Sequence, residues 1–279
     1  MKKFKNIAAV AAALATAVTL SGCAASDISD AENGTKDENY GVQAPIEGNA
    51  PTDTPDDKPI IDIEIPQVLT VSYVNVLSDG VNIRSGAGTD YSVRGSAQKA
   101  TMYALNGSSG GWYKTGYKNK PAYISNKYCE VVEMKSSGDE KIEAIINEGT
   151  KLLGTAYVYG AVRYHDGNGK KLSGFSINAF DCSSLMQYIF YTGAQVNLQV
   201  NTRTQVFQGK TVKKSELKRG DLMFFTNATR KNLTGVERVG HVALYLGDNW
   251  ILHTASDYAK IEQISSTRWG YFIQGQRII

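Results

Sequence analysis

The sequence is poor in cysteine and histidine, with three of each in 279 residues. Three cysteines cannot build a disulfide framework, so the fold has to rest on a hydrophobic core. No Cys, His or carboxylate cluster stands at the spacing of a zinc site. The chain also lacks a dense basic run, which argues against nucleic acid as a partner. Internal repeats are absent, and no apolar run is long enough for a stable transmembrane helix.

Charge is distributed unevenly along the chain. Residues 24–67 carry eleven acidic and two basic side chains, whereas residues 68–279 carry sixteen acidic and twenty-five basic ones. The first of these segments has no apolar periodicity, so we predict a disordered acidic linker there. The second has a net charge of +9, which raises the local concentration of anionic partners such as wall polymers.

The N-terminus has the pattern of an export signal. Three lysines precede an apolar run from Ile7 to Leu20, which predicts a signal peptide over residues 1–23. Its end, Leu20-Ser-Gly-Cys23, resembles a bacterial lipobox. That resemblance implies that Cys23 is lipidated and that the protein is an exported lipoprotein, anchored to the membrane and facing the cell wall. The alternative is an ordinary signal peptide that contains a cysteine.

Short β-branched and apolar runs alternate with turn residues between residues 68 and 133, which predicts a small all-β barrel. The stretches 81–91, 111–115 and 122–128 resemble, in order and spacing, a bacterial SH3 domain. The resemblance implies an SH3-like barrel that binds the wall or a peptide. Trp112 is either a ligand platform or an aromatic of the core or rim.

Residues 140–279 form the second predicted folded region. A helical pattern runs from Glu140 to Leu153, and a second helix begins at Cys182 with Asp181 as its N-cap. The positive end of a helix favours a thiolate, the nucleophilic form of cysteine. The alternative reading is a small buried side chain that starts a core helix. Cys129 is expected to be a core thiol at the end of a strand, although a bridge to Cys182 is possible by count.

Two of the three histidines lie on one predicted β-hairpin. If its loop is the three residues 247–249, Leu246 faces Trp250 and His241 lies on the same face as His253, diagonally adjacent to it. A two-residue loop would put the two imidazoles on opposite faces. Two imidazoles near a thiol suit a general base and the residue that orients it. Taken alone, two histidines on a hairpin are more often structural residues or metal ligands.

Three motifs together carry a second resemblance. Phe180-Asp-Cys-Ser-Ser-Leu185, Arg219–Phe225 and the histidine hairpin 240–255 resemble the NlpC-type cell-wall peptidases. This implies a papain-like cysteine peptidase domain of the α+β class over residues 140–279, with no cofactor. It assigns Cys182 as nucleophile, His241 as general base and His253 as the orienting residue. Tyr157 matches a tyrosine of the oxyanion region; without the family it would be read as a core or rim aromatic.

The family also suggests substrate contacts. Asp181 and Ser183 match residues that hold a substrate ammonium in some members, besides their possible roles in capping and solvent exposure. Arg203 is either structural or a contact to substrate carboxylates. Two departures stand out: Ser184 replaces the usual glycine, and residues 161–179 are longer than the family's connection. His165 in that insertion is expected to be a loop histidine, and its Asp166-Gly-Asn-Gly stretch lacks the terminal glutamate of a calcium loop.

These features predict a monomeric hydrolase that acts on peptidoglycan stem peptides at the γ-D-glutamyl–diamino acid bond. A non-catalytic wall-binding lipoprotein and an acyl transferase or amidase with the same residues are the alternatives. The sequence leaves open whether the diamino acid is diaminopimelate or lysine, and whether a free N-terminal L-alanine is required.

Overall fold

A computed structural model of the protein describes residues 68–279. The predicted signal peptide, the lipidation of Cys23 and the linker at 24–67 lie outside the described residues. The described strands are β1 Thr70–Val76, β2 Val81–Arg84, β3 Val93–Ala97, β4 Thr101–Ala104, β5 Ser108–Ser109, β6 Trp112–Tyr117, β7 Lys120–Ser125, β8 Cys129–Lys135, β9 Ala156–Tyr157, β10 Ala179–Phe180, β11 Lys210–Val212, β12 Leu222–Phe225, β13 His241–Gly247, β14 Trp250–Ala255, β15 Tyr258–Gln263 and β16 Phe272–Arg277. The α-helices are α1 Glu140–Lys151, α2 Cys182–Ala194, α3 Thr202–Gln205 and α4 Ser266–Gly270, and short 3₁₀ helices lie at Asn126–Tyr128, Lys214–Glu216 and Gly235–Arg238.

The strands form two sheets. The larger has the order β11-β16-β12-β13-β14-β15-β4-β1-β8, with the short strands β9 and β10 beside this path, and the smaller has the order β3-β2-β7-β6-β5. Helices packed against this largely antiparallel sheet confirm the predicted mixed α and β layout. The large sheet runs without a break from the early strands to the late ones, because β4 pairs with β15 through Met102 opposite Ile261.

Short strands alternate with turns between residues 68 and 133, as the pattern of apolar runs predicts. Their likeness to an SH3 domain stays a prediction. Trp112 is half-buried and lines an open cleft of about 740 Å³ with Tyr128. Cys129 is confirmed as a buried free thiol, and burial raises its pKa to about 11. The expected position was wrong, since Cys129 begins strand β8.

The cysteine-bearing helix α2 is built as the sequence predicts. The four side chains expected on one face are at most 1% exposed: Leu185, Met186, Ile189 and Phe190. Asp181 accepts a hydrogen bond from the Ser184 backbone N–H, and the Ser184 hydroxyl accepts one from the Asp181 N–H. This reciprocal cap gives the serine that replaces the family's glycine a role of its own.

Helix α1 packs directly against α2. A Cβ added at Gly193 of α2 would lie 2.6 Å from the backbone of Ile145 in α1, so only glycine permits this approach. The helix ends at Lys151, two residues before the predicted end, and Gly154 then adopts a φ of +83°. Such a left-handed conformation favours glycine and turns the chain toward β9.

Arg219 joins three parts of the fold. Its guanidinium donates two 2.8 Å hydrogen bonds to the Glu143 carboxylate of α1, one to the Tyr73 hydroxyl of β1 and one to the Leu246 carbonyl of β13. Burial opposes ionisation of Glu143, but the hydrogen bonds from Arg219 and Ser137 prevail and lower its pKa to about 2. A buried cation satisfied in this way holds its partners in one arrangement.

We predict that Arg219→Met lowers the free energy of unfolding by about 3 kcal/mol, because it leaves a partly buried carboxylate without its cation. Tyr73→Phe, which removes a single hydrogen bond, should cost about 1 kcal/mol. Urea denaturation measures both. The deficit of Arg219→Met should shrink as the pH falls from about 4.3 toward 2, since the stability from Glu143 is lost on protonation. Equal costs for the two variants would contradict this account.

Candidate active site

The cysteine and the upstream tyrosine are brought together by a short parallel strand pair. Strand β10 ends at Phe180, two residues before Cys182, and Phe180 lies opposite Tyr157 of β9. Cys182 is the first residue of α2 and is 7% exposed. Since Asp181 is the N-cap, the predicted position of the thiol in the first helical turn is confirmed.

The histidine hairpin has the expected faces but a different loop. Leu244 pairs with Leu252, and Gly247, not Leu246, lies opposite Trp250. The turn is the two residues Asp248 and Asn249, both with positive φ. A bulge before Gly247 inserts one residue, which restores the register that a two-residue loop would have shifted.

The two imidazoles therefore lie on one face of the sheet. The His241 Nε2 and His253 Nδ1 atoms are 3.1 Å apart, and the rings meet edge to face with centroids 5.2 Å apart. The expectation that these histidines form a pair is confirmed. His253 is fully buried, so its ring has no freedom to turn away from His241.

A glutamate that the sequence reasoning missed extends this pair. The Glu262 Oε1 atom is 3.0 Å from the His253 Nε2 atom and accepts another 3.0 Å hydrogen bond from Arg268. In strand β15, Lys260 lies directly opposite His253. Glu262, two residues further on, is therefore the diagonal neighbour of His253 on the same face of the sheet. The alternation Lys260-Ile-Glu262 in the strand after the hairpin predicts that both charged side chains share one face, and this pattern could have identified Glu262.

This carboxylate sets the tautomers of both rings. Burial opposes ionisation of Glu262, but hydrogen bonding to His253 lowers its pKa to about 2, so it is an anionic acceptor near neutral pH. His253 therefore carries its proton on Nε2 and accepts at Nδ1. His241 must then donate from Nε2, which leaves its Nδ1 as a free base.

Burial lowers the pKa of both imidazoles. The pKa of His241 lies well below its ordinary value, because burial disfavours the imidazolium and the neighbouring His253 and Arg268 add to the effect. The pKa of His253 is also lowered by burial, against the hydrogen bond to Glu262. Both rings are therefore neutral near pH 7, and His241 is able to accept a proton.

In the resting site the Cys182 side chain is a protonated thiol. Burial and the Asp181 carboxylate raise the pKa of Cys182 to about 12, against hydrogen bonds from the backbone N–H groups of Val242 and Ser183. The expectation that the helix start alone favours a thiolate was wrong, because desolvation outweighs the N-terminal N–H groups. The hydrogen bond from the Val242 backbone places the sulfur against strand β13, beside the residue that follows His241.

A cleft of about 410 Å³ opens beside His241. Its lining includes Tyr157, Asn227, His241, Arg268 and Tyr271. Burial raises the pKa of Tyr157, and the nearby Cys182 and Asp181 add to the effect. Arg268 carries the one full charge among the described lining residues, so the cleft suits an anionic group.

The three predicted substrate contacts are placed differently from one another. Asp181 and Ser183 flank the nucleophile and are buried, and the Asp181 carboxylate pairs with Arg163 of the 161–179 insertion at 2.8 Å. Arg203 lies in α3, where it pairs with Glu237 at 3.5 Å, and it does not line the described cleft. The structure therefore groups Asp181 and Ser183 with Cys182 but leaves Arg203 apart.

The insertion packs against helix α2 through aromatic side chains. Tyr164 meets Phe175, Tyr188 and Tyr191 edge to face, with centroids 5.0–5.3 Å apart. His165 lies in this loop as expected, but it is fully buried.

Between residues 68 and 279 no group of three or more His, Cys, Asp or Glu side chains is arranged to hold a metal ion. In the same range no helix is long and apolar enough to cross a membrane.

The sequence model of the NlpC/P60 family matches residues 154–277. The match covers less than half of the chain, and over these residues the chain is similar to that family. The family is one of cysteine peptidases, so the predicted enzyme class is confirmed at the level of the domain. The matched range includes the candidate site residues Tyr157, Cys182, His241, His253 and Glu262.

Curated relatives are similar over about half of the chain. The peptidoglycan DL-endopeptidase CwlO of Bacillus licheniformis is 31% identical over 136 residues, 48% of this chain and 27% of that protein. The gamma-DL-glutamyl hydrolase of Bacillus subtilis is 32% identical over 146 residues, 51% of this chain and 31% of that protein. The chain thus spans about a third or less of the length of these two relatives.

A solved structure is similar as well. A lipoprotein-like NLP/P60 family protein from Staphylococcus aureus is 27% identical, with 52% of this chain and 43% of that chain covered and a TM-score of 0.41.

We predict that both active-site histidines are neutral Nε2–H tautomers at pH 7, with titration midpoints below the ordinary value of about 6.5. The ¹⁵N chemical shifts of the imidazole nitrogens measure tautomer and charge together. In Glu262→Gln, the side-chain amide either donates or accepts, so His253 should populate both tautomers. Glu237→Gln, which changes an exposed glutamate outside the cleft lining, is the control. An imidazolium at pH 7 in the unchanged protein would contradict the assignment.

Proposed function

We propose that the protein is an exported, lipid-anchored hydrolase that cleaves peptidoglycan stem peptides at the γ-D-glutamyl–diamino acid bond. The observation that carries the proposal is the hydrogen-bonded pair His241–His253, with His241 in the lining of an open cleft and Cys182 against the backbone of the next residue, Val242. The names of the two curated relatives, a peptidoglycan endopeptidase and a γ-glutamyl hydrolase, support the substrate class. Export and anchoring rest on the sequence of residues 1–23.

The tautomers define the first chemical step. The free Nδ1 of His241 takes the thiol proton of Cys182, and the sulfur attacks the carbonyl carbon of the scissile amide. His253 stabilises the imidazolium through its hydrogen bond, and the Glu262 carboxylate supplies the opposite charge behind it. Because the resting pair is neutral, charge separation accompanies substrate binding and attack.

The second step returns the proton. The tetrahedral intermediate expels the amine, which takes the proton from His241, and a thioester of the γ-glutamyl group remains on Cys182. His241 then accepts a proton from water as the hydroxide attacks the thioester. The thiol leaves with that proton, and the product carries a new γ-carboxylate.

Two donors suit the developing oxyanion. The backbone N–H of Cys182 is at a helix start, where N–H groups have no intrahelical acceptor. Tyr157 lines the cleft beside His241, and its raised pKa keeps the hydroxyl protonated as a donor. Together they resemble the two-donor arrangement that stabilises tetrahedral intermediates in acyl transfer.

Arg268 favours a γ-linked substrate, because its guanidinium can pair with the free α-carboxylate of a γ-linked glutamyl residue. A glutamyl residue joined through its side chain keeps its α-carboxylate, close to the scissile bond. The guanidinium of Arg268 lines the cleft beside His241, and Glu262 holds it in place from behind. A bidentate pair between guanidinium and carboxylate would orient such a substrate.

We predict that purified protein cleaves defined muropeptides and that Cys182→Ala retains less than about a thousandth of the activity, since no other nucleophile is positioned for the attack. Mass spectrometry of the digest identifies the bond and the third stem residue. Cys129→Ala, which removes the other described buried thiol, should stay active. Equal product from Cys182→Ala and the unchanged protein would refute the mechanism.

We predict that Tyr157→Phe lowers kcat by about 100-fold with little change in KM, because the lost donor acts on the transition state. Tyr159, two residues further on, is 84% exposed and offers a matched control. Tyr159→Phe should leave both constants unchanged. Steady-state kinetics on one muropeptide measures the two variants side by side, and an unchanged kcat in Tyr157→Phe would remove the hydroxyl from the oxyanion site.

A further inference from the structure

The insertion brings an arginine to the residue next to the nucleophile. The Arg163 Nη1 atom is 2.8 Å from the Asp181 Oδ2 atom, and its Nη2 donates to the Ser183 hydroxyl at 3.3 Å. The same guanidinium donates to the backbone carbonyls of Ala161 and Val200. Arg163 is thus held on both sides, with only 18% of its side chain exposed.

The Asp181 carboxylate has no acceptor site to spare. Its Oδ1 accepts from the Ser184 N–H at 2.8 Å and from the Ser183 hydroxyl at 3.0 Å. Its Oδ2 accepts from the Gly160 N–H at 3.2 Å and from Arg163. A carboxylate has about four lone-pair positions, and all of them are occupied here.

The charge next to the nucleophile is therefore neutralised. A substrate ammonium that approached Asp181 would have to displace a buried guanidinium and would meet a like charge at the same point. The described lining of the cleft adds the positive charge of Arg268 and no carboxylate. This end of the site disfavours a positively charged group and tolerates a neutral or anionic one.

We propose that Arg163 is a specificity-determining residue that adapts the cleft to peptides whose amino end is acylated, not free. Stem peptides still attached to the wall glycan belong to this class, because their first residue is joined through an amide. The inference rests on the proposed function and deepens it. The insertion at 161–179 would thereby select intact wall over peptide fragments already released from it.

The test compares two tripeptides, L-Ala-γ-D-Glu-diamino acid with a free or an N-acetylated amine. For the unchanged protein, kcat/KM on the acetylated peptide should equal or exceed that on the free one. In Arg163→Ala the freed Asp181 carboxylate should shift the ratio toward the free amine by about tenfold, the value of one charge-assisted hydrogen bond. Arg163→Lys keeps the charge and should shift the ratio less.

Lys170→Ala is the matched control, because it removes one positive charge from an exposed position of the same insertion. Its ratio should equal that of the unchanged protein. A tenfold preference of the unchanged protein for the free amine would overturn the inference even if no variant folds. A folded Arg163→Ala with an unshifted ratio would overturn it too. Failure to cleave either peptide would refute the proposed function itself and, with it, the role of Arg163.

Discussion

The hydrogen bond between the Glu262 carboxylate and the His253 ring is the interaction on which the candidate site depends. It fixes which nitrogen of His253 carries the proton and, through the 3.1 Å contact, which nitrogen of His241 is left to accept one. Without an anionic acceptor at this point, either ring could adopt the other tautomer. His241 would then keep its place in the fold, but its Nδ1 atom would carry a proton and could not accept another.

This dependence explains why the early strands matter to the late ones. Strand β15, which carries Glu262, has β14 on one side and β4 on the other, so Glu262 lies opposite Thr101. Strands β4, β1 and β8 thus extend the sheet that carries the two histidines and Glu262, and Arg219 joins β1 to helix α1. Whatever else they bind, they support the strand behind the histidines.

Much of the candidate site follows from sequence patterns of short range. The N-cap at Asp181, the buried face of α2 and the shared face of the histidines arise from periodicities of 3.6 and 2 residues. The loop of the hairpin did not follow, because a bulge beside Gly247 compensates for a tighter turn. Glu262 and Arg163 were missed because their partners lie in other elements, and pairings between distant segments leave no local signal. The pKa of Cys182 was misjudged for a related reason: burial depends on the whole fold, whereas the helix start is local.

The continuous sheet also has a consequence for the order of assembly. Met102 and Ile261 pair across most of the folded chain, and the base, its orienting residue and Glu262 all follow the cysteine in sequence. A chain still emerging during synthesis contains Cys182 long before His241, His253 and Glu262. Contacts of such long range form late in folding. His241 would therefore reach its place beside His253 only when the last strands have joined the sheet.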